Sequence, residues 1–453
     1  MRNRNRNRAW SSPAQAGGGG NGGNGSLPVQ YVMPDAVSVS STTVYEADIT
    51  IPLEANTTYM IPVDLAVGTT NNNSGINLAL DVPSGATGVW SMACGRIGAT
   101  AMAILAGGLG DALAFAPIGL ILDSANSAAV CGLIRITATN AGNLVIKHFK
   151  TTGTGSVTVQ AGSRATAYKN PTVQVLASDY TNATTSVTAV QTINLDEGVH
   201  LLEVCQRQFS ASAAVDIIFS YSATNATFIA LNSEGNGTNV SSGDVRTTNA
   251  QTLATGVPTT PGVGCLKRIL VTVAEGGGTF VIGARSETNG QTVTIPAGAT
   301  VWTREVTLHA PASAFPISNT SDTVPTALFT FTAEADKHYV ATIGAGISAD
   351  STATGQFIGL SGTPTDGGIF ACGYFNSTST SNTLSGRRQV DDDIEGYTAS
   401  AGATEIPAMY RMHIDGGSAG GTPSFVIRRE AGSGGTVTAQ RGFAILEEIS
   451  VAA

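Results

Sequence analysis

Charge is scarce in this chain. Only 12% of its 453 residues are Asp, Glu, Lys or Arg, roughly half the share usual in soluble domains. The balance is acidic, at −9, which disfavours a nucleic-acid partner for the main body. Thr, Ser, Asn, Gly and Ala must then cover the surface, as suits a stable extracellular or particle-borne scaffold. Cysteine is scarce too. Cys94, Cys131, Cys205, Cys265 and Cys372 are odd in number and form no CxxC pair, so neither a disulfide framework nor a zinc site is indicated, and buried free thiols are expected. The longest apolar stretch, ATAMAILAGGLGDALAFAPIGLIL, is broken by Asp111, Pro117 and several glycines, which argues against a simple membrane span. No apolar secretory core follows the charged start.

The residue constellations of common catalysis are missing as well. The histidines are His148, His200, His309, His338 and His413, and no two stand three or four residues apart. No GxSxG elbow frames a nucleophile, and the runs GGGGNGG and EGGG lack the GK[ST] ending of a phosphate loop. No enzyme activity and no cofactor are expected. One acidic cluster, Asp391, Asp392, Asp393 and Glu395, is a weak calcium candidate, because hard cations take clustered oxygens. Arg387 and Arg388 just before it favour a solvated, ion-paired loop. Tyr59, Phe149, Tyr168, Phe219, Trp302, Phe329, Phe331 and Phe443 fall in strand patterns and read as core or sheet-face residues. Trp90 and Tyr374 are modest candidates for a sugar platform, with apolar neighbours that favour packing.

What the chain has in quantity is glycine, 54 residues, and an internal repeat. LIRITATNAGNLVIKHFKTTGTGSVTVQAGSRATAYK spans 133–169. LKRILVTVAEGGGTFVIGARSETNGQTVTIPAGATVWTRE spans 266–305, and MYRMHIDGGSAGGTPSFVIRREAGSGGTVTAQRGFAILEE spans 409–448. Each reads as two alternating strands, a Gly- or Thr-rich loop, a short TVT-like strand, a turn at Gly162, Gly298 or Gly442, and a last strand. A second marker opens each unit: ITIPLEANTTYMIPVDL, QTINLDEGVHLLEVC and LFTFTAEADKHYVATI. Ile49, Ile51 and Leu53 alternate with Thr50 and Pro52, the period of a half-buried strand.

The pattern predicts an all-β chain of tandem antiparallel β-sandwich, jelly-roll-like domains with an extended N-terminal arm. The arm covers 1–41 and the domains 42–169, 186–306 and 326–450. Segments 170–185 and 307–325 read as joints, the second stiffened by proline. The Ala-rich segment 97–122 reads as a helical turn or a loop buried against a neighbouring subunit.

The first residues, MRNRNRNR, alternate strictly. Extended, they place Arg2, Arg4, Arg6 and Arg8 along one side. Trp10 and a glycine-rich leash follow. The reading is an anchoring arm laid in an acidic groove of a neighbouring protein, with Trp10 as an apolar plug.

YEADITIPLEANTTYMIPVDL, GINLALDVPSGATG and LVIKHFKTTGTGSVTVQAGSRATAYK together resemble a domain of tailed-bacteriophage virion proteins, similar in layout to trimeric jelly rolls of the tumour-necrosis-factor and C1q kind. The resemblance is good in the first unit, partial in the third and weak in the second. It implies a non-enzymatic protein that decorates, stabilises or projects from a capsid. Its partner would be the major capsid protein or another virion protein. It also implies a homotrimer, no membrane contact, and location in the virion after assembly in the host cytoplasm. The alternative is a tail appendage that binds a host surface receptor or glycan.

Overall fold

The computed structural model describes residues 27–70, 74–94, 103–114, 128–151, 154–210, 212, 215–235, 240–248, 251–256, 263–350, 356–363, 368–375, 393–394, 405–429 and 434–452. Every element among them is a β-strand. Three four-stranded sheets form the outer layers. The first runs in the order Glu46–Leu53, Gly142–Lys150, Ile76–Asp81, Leu113–Ala114. The second is Thr188–Leu195, Gly278–Ser286, Asp216–Thr224, Gln251–Gly256, and the third Thr326–Thr330, Ser424–Arg429, Gln356–Ser361, Asp393–Ile394. The three share one topology.

The inner layers repeat in the same way. Thr57–Thr69 lies between Ala128–Ala138 on one side and Val157–Val159 with Arg164–Lys169 on the other. Gly198–Ser210 lies between Val263–Val273 and the pair Val293–Ile295, Thr300–Glu305. His338–Ala349 lies between Ile406–Asp415 and the long strand Val437–Val451. Each inner and outer sheet close over an apolar interior. Ile51, Ile61 and Trp90 belong to the first. Leu202, Phe219 and Phe280 belong to the second, and Phe329, Ile343 and Phe425 to the third. The fold is thus the all-β, tandem-sandwich class that the period-two pattern requires.

Four expectations change in detail. Segments 170–185 and 307–325 are not free joints, because Val173–Val175 and Tyr180–Asn182 add to the second unit's inner layer and Leu308–His309 and Ile317–Asn319 to the third's. The first unit receives the same addition from Val29–Val32 and Val37–Val39, inside the expected arm of 1–41. Gly162 and Gly298 do turn the chain, at φ of 80° and 92°, where a side chain would be strained. Gly442 does not turn. It lies within Val437–Val451, and a Cβ there would come within 2.9 Å of both Gly344 O and the Phe315 ring. From segment 97–122, Ala103–Gly108 is a strand on Thr87–Cys94, and Leu105 pairs with Val263 of the second unit. Its neighbour is a second unit of the same chain. The remainder of 97–122 lies outside the described residues, apart from 109–114.

Candidate functional site

The inner layers have two faces, and the second faces of all three meet. Ala66, Ala93 and Ile104 of the first unit pack with Leu201, Leu231 and Leu270 of the second and Met409, Phe443 and Ile445 of the third. Register makes the relation quantitative. Tyr59, His200 and Tyr339 each follow the opening turn and sit opposite Ile136, Val271 and Ile414. Tyr59 and Tyr339 lock that turn by accepting from Glu54 N and Glu334 N, and His200 Nε2 bonds Asp196 O. One residue further on, Met60, Leu201 and Val340 face Tyr168, Arg304 and Glu447. These three equivalent residues touch one another. Tyr168 donates to Glu447 Oε2 at 3.1 Å, Arg304 Nη1 donates to the same oxygen, and the Arg304 guanidinium lies 5.2 Å from the Tyr168 ring. Only a threefold-like arrangement of the units brings three equivalent positions together, so one chain closes on itself as a trimer of identical subunits would.

Around this centre lies a buried charge cluster. Glu203 accepts from Arg411 Nη2 at 2.9 Å, Arg304 Nη2 at 2.8 Å and Arg268 at 3.3 Å. Burial alone would raise its carboxyl, but Arg411, Arg268 and Arg304 outweigh that and hold it at about 2. Arg411 also reaches Asp64 at 3.3 Å, and Asp64 accepts from His413 Nε2 at 3.0 Å. Burial lowers His413 more than Asp64 raises it. Gln30 continues the chain, with its Nε2 2.8 Å from His413 Nδ1 and its Oε1 3.0 Å from Arg164 Nη1. Arg268 Nη1 donates to the carbonyls of Ile343 and Tyr410, tying the second unit to the third. The cavity beside Glu203, Asp64 and Arg411 is about 20 Å³, room for about one water. Such a network locks units together.

The two ends of the described chain meet as well. Val29 and Gln30 pair in parallel with Ser450 and Val451, and Ser450 N donates to Pro28 O at 2.9 Å. A cavity of about 320 Å³ opens here, lined among others by Leu27, Tyr31, Glu54, Tyr59, Tyr168 and Lys169. Lys169 and Glu54 form an exposed ion pair beside it.

Arg2, Arg4, Arg6, Arg8 and Trp10 lie outside the described residues, as do Asp391, Asp392 and Glu395. The backbone of Asp393 pairs with Gly359. Among the described residues no three His, Cys, Asp or Glu side chains are grouped to hold a metal. His148 is buried against Asp48, Nδ1 to Oδ1 at 2.8 Å, and its Nε2 faces the backbone oxygen of Val157 at 3.3 Å. Trp90 is core, its Nε1 donating to Gly108 O. The Tyr374 backbone lies in strand Gly368–Phe375, and its side chain is outside the description. Cys131, Cys205 and Cys265 are buried free thiols, and Cys94 is buried as well. Tyr168, Trp302 and Phe443 serve the contacts between units, and Phe149 is half-exposed on the first outer sheet.

Sequence reasoning missed the charged centre. A signal was available: YMIPVDLAV in Thr57–Thr69 is apolar at both parities, the mark of a strand covered on both faces. Neither protein-family models nor curated proteins match this chain.

Proposed function

We propose that the chain is a non-enzymatic virion structural protein that decorates, stabilises or projects from a bacteriophage capsid. The observation that carries this reading is the meeting of Tyr168, Arg304 and Glu447. It gives one chain the outline of a trimer, and such an outline fits a threefold position of a closed shell. The sparse charge of the whole sequence and the interlocked units suit a durable surface part. The partner in this reading is the major capsid protein or another virion protein. The arm of 1–26, carrying Arg2, Arg4, Arg6, Arg8 and Trp10, is the anchor, and it joins the fold beside the cavity at Leu27.

The resemblance, the low charge and segment 97–122 point to a homotrimer, whose closure would also cover sheet surface. That surface is covered here by the chain's own units, so a single chain fills the role and should scatter light as a monomer. The attachment test adds full-length or 1–26-deleted protein to particles lacking it. The full chain should bind and the deletion should not, with unchanged melting. Equal binding by both would move attachment to a sandwich face, and no binding by either would refute the capsid role.

A second reading is a tail appendage that binds a host glycan. It is favoured by one feature of the first outer sheet. Tyr45 and Phe149 are half-exposed, with ring centroids 4.2 Å apart, next to the Lys147–Asp81 ion pair. Retention on immobilised host polysaccharide that Tyr45→Ala abolishes would support it.

A further inference from the structure

The interior of the second sandwich is apolar at one end and polar at the other. Gln206, Gln208, Ser210, Asn232 and Lys267 are all buried there. The strand registers place them where the first unit has Leu65, Val67, Thr69, Met92 and Gly132. At the Lys267 position the other units use a large residue against a small one. Met92 covers Gly132, whose added Cβ would lie 2.6 Å from the Met92 sulfur. Tyr410 covers Gly373 at 2.4 Å in the same sense. Only the second unit sets two polar side chains across from each other.

Asn232 and Lys267 are direct partners in the antiparallel ladder of Ala226–Gly235 and Val263–Val273. Their alternation matches Ala230, Cys265 and Ile269, which face the same interior. Opposed residues on one face have Cβ atoms about 4.5–5.5 Å apart, a gap that a lysine side chain easily spans. Tyr221, from the facing sheet, touches both. Its hydroxyl donates to Asn232 Oδ1 at 2.6 Å, and its ring centroid lies 5.9 Å from Lys267 Nζ. Nζ itself sits 3.6 Å from the Phe219 ring centroid. The buried Asn232 Nδ2 has no hydrogen-bond partner, a cost that a native interior does not carry without a reason.

We propose that Lys267 and Asn232 join in an intramolecular isopeptide bond, a modification that cross-links two strands of the second sandwich. The Lys267 Nζ lone pair attacks Asn232 Cγ. The Nζ–Cγ bond forms as the Cγ–Nδ2 bond breaks, and the proton lost by Nζ leaves with Nδ2 as ammonia. No oxidant, cofactor or second substrate is needed. Tyr221 polarises the carbonyl by its hydrogen bond to Oδ1, as an oxyanion donor does. Burial pushes the Lys267 ammonium well below its usual range, which favours the unprotonated, nucleophilic form of the amine. The bond disposes of the unpartnered Nδ2 and replaces a buried amine by a neutral amide. It also staples the unit that supplies Glu203, Arg268 and Arg304 to the centre. The inference does not depend on the virion reading.

The test is the intact mass of the full chain, purified and held at neutral pH, followed by peptide mapping. The expected mass is one ammonia below that of the sequence after allowance for the initiator methionine. Trypsin should fail to cut after Lys267, and a branched peptide should join it to Asn232. Lys267→Met should show no such loss. Tyr221→Phe, which keeps the ring, should convert more slowly. A succinimide at Asn289–Gly290 would lose the same mass, so the branched peptide decides. Unmodified peptides carrying Asn232 and Lys267 from the folded wild-type chain would overturn the proposal.

Discussion

In the strand Glu46–Leu53 only Ile49, Ile51 and Leu53 are buried, whereas in Thr57–Thr69 every residue but Thr58 is. The first strand belongs to an outer sheet with one dry face. The second belongs to an inner sheet with two, its sandwich interior and the seam between units. The two dry faces are built differently. The interiors are largely aliphatic and aromatic in all three units, with the polar end of the second as the exception. The seam instead carries Tyr168, Arg304 and Glu447 at one set of equivalent positions and Leu133, Arg268 and Arg411 at another. Apolar packing is non-directional, so similar residues serve every interior. Charges must be matched in pairs, and three identical residues at a threefold centre cannot neutralise each other. Joining the units in one chain lifts that restriction.

The largest expected effect tests the interiors. Phe329→Ala empties a fully buried site in the third unit and should cost about 4 kcal/mol by urea denaturation. Hydrogen exchange should rise chiefly in that unit. Equal loss of protection in all three would break the distinction between separate interiors and a shared seam.

Glu203→Gln tests the seam. It leaves Arg268, Arg304 and Arg411 without their common carboxylate and should cost about 3 kcal/mol. Here protection should fall at Arg411 and Arg268 together, across two units. Acid probes the same residue. Glu203 is held at about 2, below its ordinary 4.5. Its contribution is therefore complete above pH 4.5 and drains away as pH falls toward 2. His413 is also lowered, so protonation favours the unfolded chain and its loss begins below its ordinary 6.5. Both act in one direction. A melting-temperature profile should decline on acidification, with a shallower acid limb in Glu203→Gln. An unaltered limb in that variant would remove Glu203 as the acid-sensitive group.

Strand positions and the threefold repetition could be read from alternation and from the recurring blocks at 133–169, 266–305 and 409–448, although Gly442 of the last does not turn. Ile49, Ile51 and Leu53 needed nothing else. The seam was harder. Alternation tells which residues share a face but not what covers it. Residues such as Met60 and Ala66 look like ordinary sheet-surface choices until another unit lies on them. Glu203 and Arg268 were invisible for a further reason. A buried ion pair has no sequence period, and its partners lie 65 residues apart for Arg268 and 208 for Arg411. Segments 170–185 and 307–325 misled because proline and serine mark turns, and short edge strands tolerate both.

The smallest effect is the most specific to the threefold centre. Tyr168→Phe removes the hydroxyl that donates to Glu447 and keeps the ring against Trp302, whose centroid is 4.7 Å away. Burial first, then Glu447, holds the Tyr168 phenol well above its ordinary range, so the wild-type group is a neutral donor at every working pH. Glu447 keeps Arg304 as a partner in the variant, and the loss should be about 1 kcal/mol. In a Glu447→Gln background the same substitution should cost less, because a neutral acceptor is weaker than a carboxylate. A double-mutant cycle by urea denaturation reads this coupling directly. Strict additivity would mean that Tyr168 and Glu447 do not meet, and the threefold closure of the three units would lose its most direct contact.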